Sequence, residues 1–166
     1  MLNNTYFYEN NPIMDKIDRK ILRYLQDNCR LSMSDLGNLV GLSTSATHRR
    51  ISILEKEGMI EKYTASLSGE KLGYSMIFFV EVSLENQSDK TLASFEKAAL
   101  ERPEVLECYL TTGSADYLVK VAAKDTKSYE QIYKRIIASL PHVSRIESSL
   151  VMKTVKAWSG YSLEKS

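Results

Sequence analysis

The sequence predicts an α+β protein in two modules: an N-terminal three-helix bundle, then a connector strand, then a C-terminal βαββαβ sheet of the ferredoxin-like kind. Three observations predict it. Apolar residues recur at helical spacing up to Gly58, and aromatic and β-branched runs alternating with polar residues begin after Gly73. Between them MIEKYTASLSGEKLGY alternates apolar with polar residues and carries Gly69 and Gly73, as an extended connector would. The expected divisions are a flexible arm over residues 1–14, a helical domain over 15–62, a connector over 63–74, a sheet domain over 75–158 and a tail over 159–166.

The opening MLNNTYFYENNP is polar, rich in Asn and without period, which predicts a loose arm, and Met14 offers a second start. Asp15 or Asp18 can cap a first helix whose stripe is Ile17, Ile21, Leu22 and Leu25, ending near Asn28. Ser32 followed by Asp35 is a capping-box pattern for a second helix, with Leu36, Leu39 and Val40 inward and Gly41 at the turn. Ser43 caps a third, with Thr47, Ile51 and Leu54 inward and Gly58 closing it. Leu22, Leu25, Leu36, Leu39, Ile51 and Leu54 form the expected core. Two helices around a tight turn, the second N-capped, make a helix-turn-helix.

The outward side of the third helix carries hydroxyls, an imidazole and guanidinium groups near a helix N-terminus. Such a helix fits the major groove, where Arg pairs bidentately with guanine, Ser and Thr reach base edges, and the helix N-terminus favours phosphate. The candidate DNA-binding residues are Ser43, Thr44, Ser45, Thr47, His48, Arg49, Arg50 and Ser52. Arg50 has a second reading, a tie from the helix to its own bundle. The hairpin as a whole has one too, a plain helical pair with a solvated basic face.

In the second module, residues 75–85, 105–112, 117–123 and 143–153 read as strands, and 90–101 and 128–140 as helices, halted by Pro103 and by Pro141-His142. With both helices on one face, the other face needs cover, which predicts a homodimer through the sheet. The loop at Gly113 is the candidate effector site. Backbone N–H groups at Gly113 and Ser114 can hold a carboxylate and Asp116 an ammonium, with Thr111, Thr112 and Tyr117 as walls, which suits an amino acid. Asp116 reads equally as an acid that fixes the hairpin.

A net charge of +1 rules out binding DNA by electrostatics alone, although residues 13–64 hold nine Lys and Arg against seven Asp and Glu. Specific binding is expected to need more than one copy. No apolar run approaches the ~20 residues that cross a bilayer and no signal-peptide pattern opens the chain, so a cytoplasmic, nucleoid-associated protein is expected. Cys29 and Cys108 are expected to be reduced, buried thiols. No nucleophile with a base, phosphate-binding glycine motif or metal-ligand cluster stands out, so neither catalysis nor a cofactor or metal is expected.

The stretches DKIDRKILRYLQDNCRLSMSDLGNLVGLS, RRISILEKEGMIEKYTASL and ECYLTTGSADYLVKV together resemble the Lrp/AsnC, or feast/famine, transcriptional regulators of bacteria and archaea, over roughly Asp15 to Lys156. The resemblance implies a winged or plain helix-turn-helix, a hinge strand and a ligand-sensing domain that dimerises through its sheet. It also implies dimers assembling into octamers or related rings, with amino acid effectors bound between dimers near the glycine loop. Ser114 and Ala115 stand where the family commonly has an acidic and an aromatic residue, so the effector's identity does not carry over. A DNA-compacting architectural protein with little sequence preference is the alternative reading.

Overall fold

The computed structural model describes residues 14–163, so the expected arm lies, apart from Met14 and the choice of start, outside the described residues. The chain divides into two compact units, one made by residues up to Ala65 together with those from Lys156 on, the other by Ser66–Val155. The described residues from Lys156 on, up to 163, group with the helices.

The helical unit holds α1 (Lys16–Asp27), α2 (Met33–Val40) and α3 (Thr44–Lys56) around Ile21, Leu36, Val40, Ile51 and Leu54. Each start is capped by its own side chain. Asp15 accepts from the Ile17 and Asp18 N–H groups while Asp18 accepts from the Asp15 N–H, closing a capping box. Ser32 accepts from the Asp35 N–H at 3.0 Å, but Asp35 takes the Ser32 hydroxyl at 2.6 Å instead of reaching a free backbone N–H. Gly41 ends α2 in the left-handed region at φ 79°, a conformation with little cost only for glycine.

Leu39 departs from the expected core, being 47% exposed. The cause is Gly37, where an added Cβ would stand 2.7 Å from the Leu42 carbonyl oxygen and 2.9 Å from the Thr47 hydroxyl. A bare backbone there lets α3 approach on the Gly37 side, so the inward arc of α2 is Leu36, Gly37 and Val40, and Leu39 turns to its outer edge. Cys29, in the turn after α1, is likewise exposed rather than buried, whereas Cys108 is half-buried.

Within the single chain residues 61–68 pair with no other strand, so the expected connector strand is not seen there, and a single 3-10 turn follows at Glu70–Leu72.

The second unit runs β1 (Met76–Leu84), α4 (Asp89–Leu100), β2 (Val105–Leu110), β3 (Tyr117–Ala123), α5 (Thr126–Arg135) and β4 (Val143–Leu150). The strands are antiparallel in the order β2-β3-β1-β4, the βαββαβ arrangement expected. Phe78, Val80, Val82 and Leu84 alternate inward with Tyr117, Val119, Val121 and Ala123, and Phe95, Ala99 and Ile132 of the helices, with Ile136 just past α5, pack on them. The second helix ends earlier than expected; after Arg135 the chain tightens into a 3-10 turn at Ile137–Ser139 that buries Ile137. On the sheet's other face lie Ile77, Phe79, Glu81 and Ser83 of β1, crossed by Leu118 and Lys120 of β3 and by Arg145 and Glu147 of β4.

Candidate DNA-contacting helix and effector site

Along α3 the eight expected DNA contacts separate by burial. Thr44, Ser45, His48, Arg49 and Ser52 are exposed, and Ser43 caps the helix from an exposed position. Among the described residues, neither Arg49 nor His48 has an ion pair or hydrogen bond through its side chain, so both are free for an outside partner. Thr47 is the first correction. It is fully buried, and its hydroxyl donates to the Ser43 carbonyl at 3.0 Å, which is where a buried hydroxyl finds its partner.

Arg50 is the second correction, and the tie to its own bundle is the reading that holds. Its Nη1 donates to Asp15 at 2.7 Å and to Asp18 at 2.8 Å, joining the front of α1 to the middle of α3. Asp18 is 7% exposed. The Asp18 N–H, with Arg50 behind it, holds the Asp15 carboxyl below the usual carboxylate range, while the two carboxylates push the Arg50 guanidinium up. A depressed carboxyl stabilises the fold above its unfolded pKa of about 3.9 and loses that contribution as pH falls through the lower folded value. Acid titration followed by helical circular dichroism is expected to show stability falling below about pH 4, and less steeply in Arg50→Ala.

The expected effector residues also divide. Thr111, Thr112, Gly113 and Ser114 are exposed at the β2–β3 turn. Thr111 closes the turn, its N–H donating to the Asp116 carbonyl at 2.8 Å and its hydroxyl to the Ala115 carbonyl at 3.1 Å. Asp116 holds the turn to the end of β1: one carboxylate oxygen accepts from the Leu84 N–H at 2.7 Å, the other from the Gln87 amide at 2.7 Å. Each oxygen carries one internal bond, and these tie the hairpin to the end of β1 and to Gln87. Tyr117 points to the opposite side of the sheet, 1% exposed, with its hydroxyl donating to Glu96 at 2.8 Å; burial raises its pKa. It belongs to a groove of about 350 Å³ beside β2 that also includes Cys108, Leu106 and Leu110.

What the turn does border is a small cavity of about 90 Å³ on the open sheet face, lined by Ser114, Ala115, Glu81, Ser83, Arg145 and Glu147. Glu81 and Glu147 are direct partners in the β1–β4 register, a repulsive placement that Arg145, paired with Glu147, offsets. This set combines a cation and two carboxylates with the Ser114 hydroxyl. Sequence reading missed Glu81, Ser83, Arg145 and Glu147, because only the strand register brings them together; their signal was the polar member of each alternating pair in FVEVSLE and SRIE.

A capped helix with a free polar and basic outer face, in a chain that also folds a βαββαβ unit, defines a DNA-binding transcriptional regulator with a separate sensing domain. Residues 14–61 match the family model for winged helix-turn-helix DNA-binding domains, and residues 77–160 match that for the Lrp/AsnC ligand binding domain. The chain is 42% identical over 142 residues to the Bkd operon transcriptional regulator of Pseudomonas aeruginosa, covering 86% of this chain and 93% of that protein. A solved AsnC family regulator from Agrobacterium tumefaciens superposes with a TM-score of 0.85 at 36% identity, over 90% of this chain and 97% of that one. A transcriptional regulator from Neisseria meningitidis, solved in complex with L-methionine, does so with a TM-score of 0.82 at 33% identity, over 87% and 93%. This protein belongs to the Lrp/AsnC family of transcriptional regulators. No helix among the described residues is long and apolar enough to cross a membrane.

Proposed function

We propose that the protein binds specific operators as a dimer or a ring of dimers, reads them with Thr44, Ser45, His48, Arg49 and Ser52 of α3, and answers to an amino acid held beside the Gly113 turn. The observation that carries the reading is the free polar face of α3, stabilised from behind by Arg50 and the buried Thr47. A two-fold dimer sets two such helices about one turn of DNA apart, or a multiple of it, and so favours pseudo-palindromic sites. The open sheet face, with Phe79 and Leu118 at its centre, supplies the dimer surface.

For the effector, Arg145 and the amides at Gly113 and Ser114 suit a carboxylate, and Glu81 or Glu147 an ammonium. Asp116 keeps the turn in place without touching the ligand. Ala115 leaves room for a side chain. The protein works on the nucleoid, in the cytoplasm.

Nuclease footprinting on genomic fragments, with each proteinogenic amino acid added in turn, tests this. Discrete protected sites are expected, altered by one or a few amino acids that also raise thermal stability by mass action. Continuous coverage with no preferred sites would overturn the regulator reading, and a monomer by sedimentation at micromolar concentration would overturn the dimer.

A further inference from the structure

The way the C-terminal segment is held in the helical unit is accounted for neither by DNA contact nor by effector binding. Gln26, exposed near the end of α1, bonds one residue of that segment from both sides: its Oε1 accepts from the Tyr161 N–H at 2.7 Å, and its Nε2 donates to the Tyr161 carbonyl at 3.1 Å. This is the exchange a neighbouring strand would make, supplied by a side-chain amide. Gly160 makes it geometrically accessible. Its φ of +98° is one that L side chains rarely adopt, and a Cβ there would stand 2.4 Å from Gln26 Oε1. The glutamine would have to swing away, and the swing would break both bonds. Trp158 and Tyr161, edge to face with ring centroids 4.9 Å apart, brace the turn between them. At its other end, α1 carries Asp15 and Asp18, which grip Arg50 of α3.

We propose that Gln26 is a docking site for the Trp158–Tyr161 turn of this chain's own C-terminal segment, and that the docked turn is a second chain tether on the DNA-binding unit. The chain leaves the helical unit after Ala65 and rejoins it after Val155, so a docked turn holds that unit by two chain crossings and a released one by a single crossing. A unit with one tether has more orientations to lose when two copies engage two half-sites, which lowers the effective concentration of the second against its half-site. This last step rests on the dimeric reading above; the docking does not.

Full-length Gln26→Ala and Gly160→Val test it. Alanine is the stronger helix former at an exposed position, so the first variant leaves α1 intact. By hydrogen exchange, the Tyr161 amide in the wild-type protein is expected to exchange roughly tenfold or more slower than in either variant. Equal rates in wild type and Gln26→Ala would overturn the docking. Binding is then compared on a duplex selected by the wild-type protein from a random pool and on the same duplex cut to one half-site. Both variants are expected to bind the full duplex roughly tenfold more weakly and the half-site as wild type does. Unchanged affinity for both duplexes, or an equal fall on both, would overturn the tether. If the wild-type protein itself binds the two duplexes alike, the dimeric reading fails and the tether with it, while the exchange rates still decide the docking.

Discussion

Gly37→Val is expected to melt the helical unit while leaving the sheet unit folded. The first added carbon alone would stand 2.7 Å from the Leu42 carbonyl oxygen, which is backbone, and 2.9 Å from the Thr47 hydroxyl. Neither can yield freely. The Leu42 N–H closes the end of α2 on the Gly37 carbonyl at 2.9 Å, and the Thr47 hydroxyl is held by Ser43. Relief requires α2 and α3 to separate, which uncovers Leu36 and Ile51. Overpacking of this kind costs about 1–3 kcal/mol even in larger cores, and a three-helix unit has little stability in reserve. Thermal denaturation by circular dichroism is expected to show an early, separate helical transition and gel shifts to show no specific complex. A melting curve indistinguishable from wild type would mean that α2 and α3 do not approach as described.

Adjacent arginines should fail in opposite ways. Arg49→Ala is expected to leave stability unchanged and to weaken specific DNA binding by about 1–3 kcal/mol if it reads a base, or to reduce the salt slope by about one unit if it holds a phosphate. Arg50→Ala removes the partner of Asp18, a carboxylate with 10% of its side chain exposed, and stranding a buried acceptor costs about 1–3 kcal/mol of fold stability. Its salt slope should match wild type at temperatures where the unit remains folded. The measurement is a salt titration of operator affinity beside a denaturant melt, for both variants. A reduced slope in Arg50→Ala with unchanged stability would return Arg50 to the DNA-reading set, and an unaffected Arg49→Ala would remove Arg49 from it.

These contrasts show where sequence reading stops. The three helices were legible because their starts and stops are local chemistry: Asp15, Ser32 and Ser43 cap within three residues of themselves, and Gly41 turns by its own freedom. The order βαββαβ was legible from alternation and from the stops at the prolines. Arg50 and Asp116 were visible as charged groups, but what occupies them lies 32 residues away in each case, at Asp18 and at the Leu84 N–H. Thr47 could have been excluded from DNA contact, since it shares the inward stripe with Ile51 and Leu54. Tyr117 was legible as the first residue of β3, but the side of the sheet it faces follows from its pairing with Val82, which local pattern does not supply. The connector reads as a strand by composition, and strand formation depends on a neighbour that composition cannot supply.

In the proposed reading, closure of the Gly113 turn and contact with an effector fall on different residues. Asp116 and Thr111 spend their bonding groups on the turn itself, the Ala115 backbone carbonyl included, while the side chains of Ser114 and Ala115 border the small cavity and make no bond within the turn. Substitutions at 114 and 115 therefore change the shape and polarity offered to a ligand without altering how the hairpin is tied to β1. On the proposed effector reading, substitutions at 114 and 115 would change which ligand fits, whereas a change at Asp116 meets the fold first.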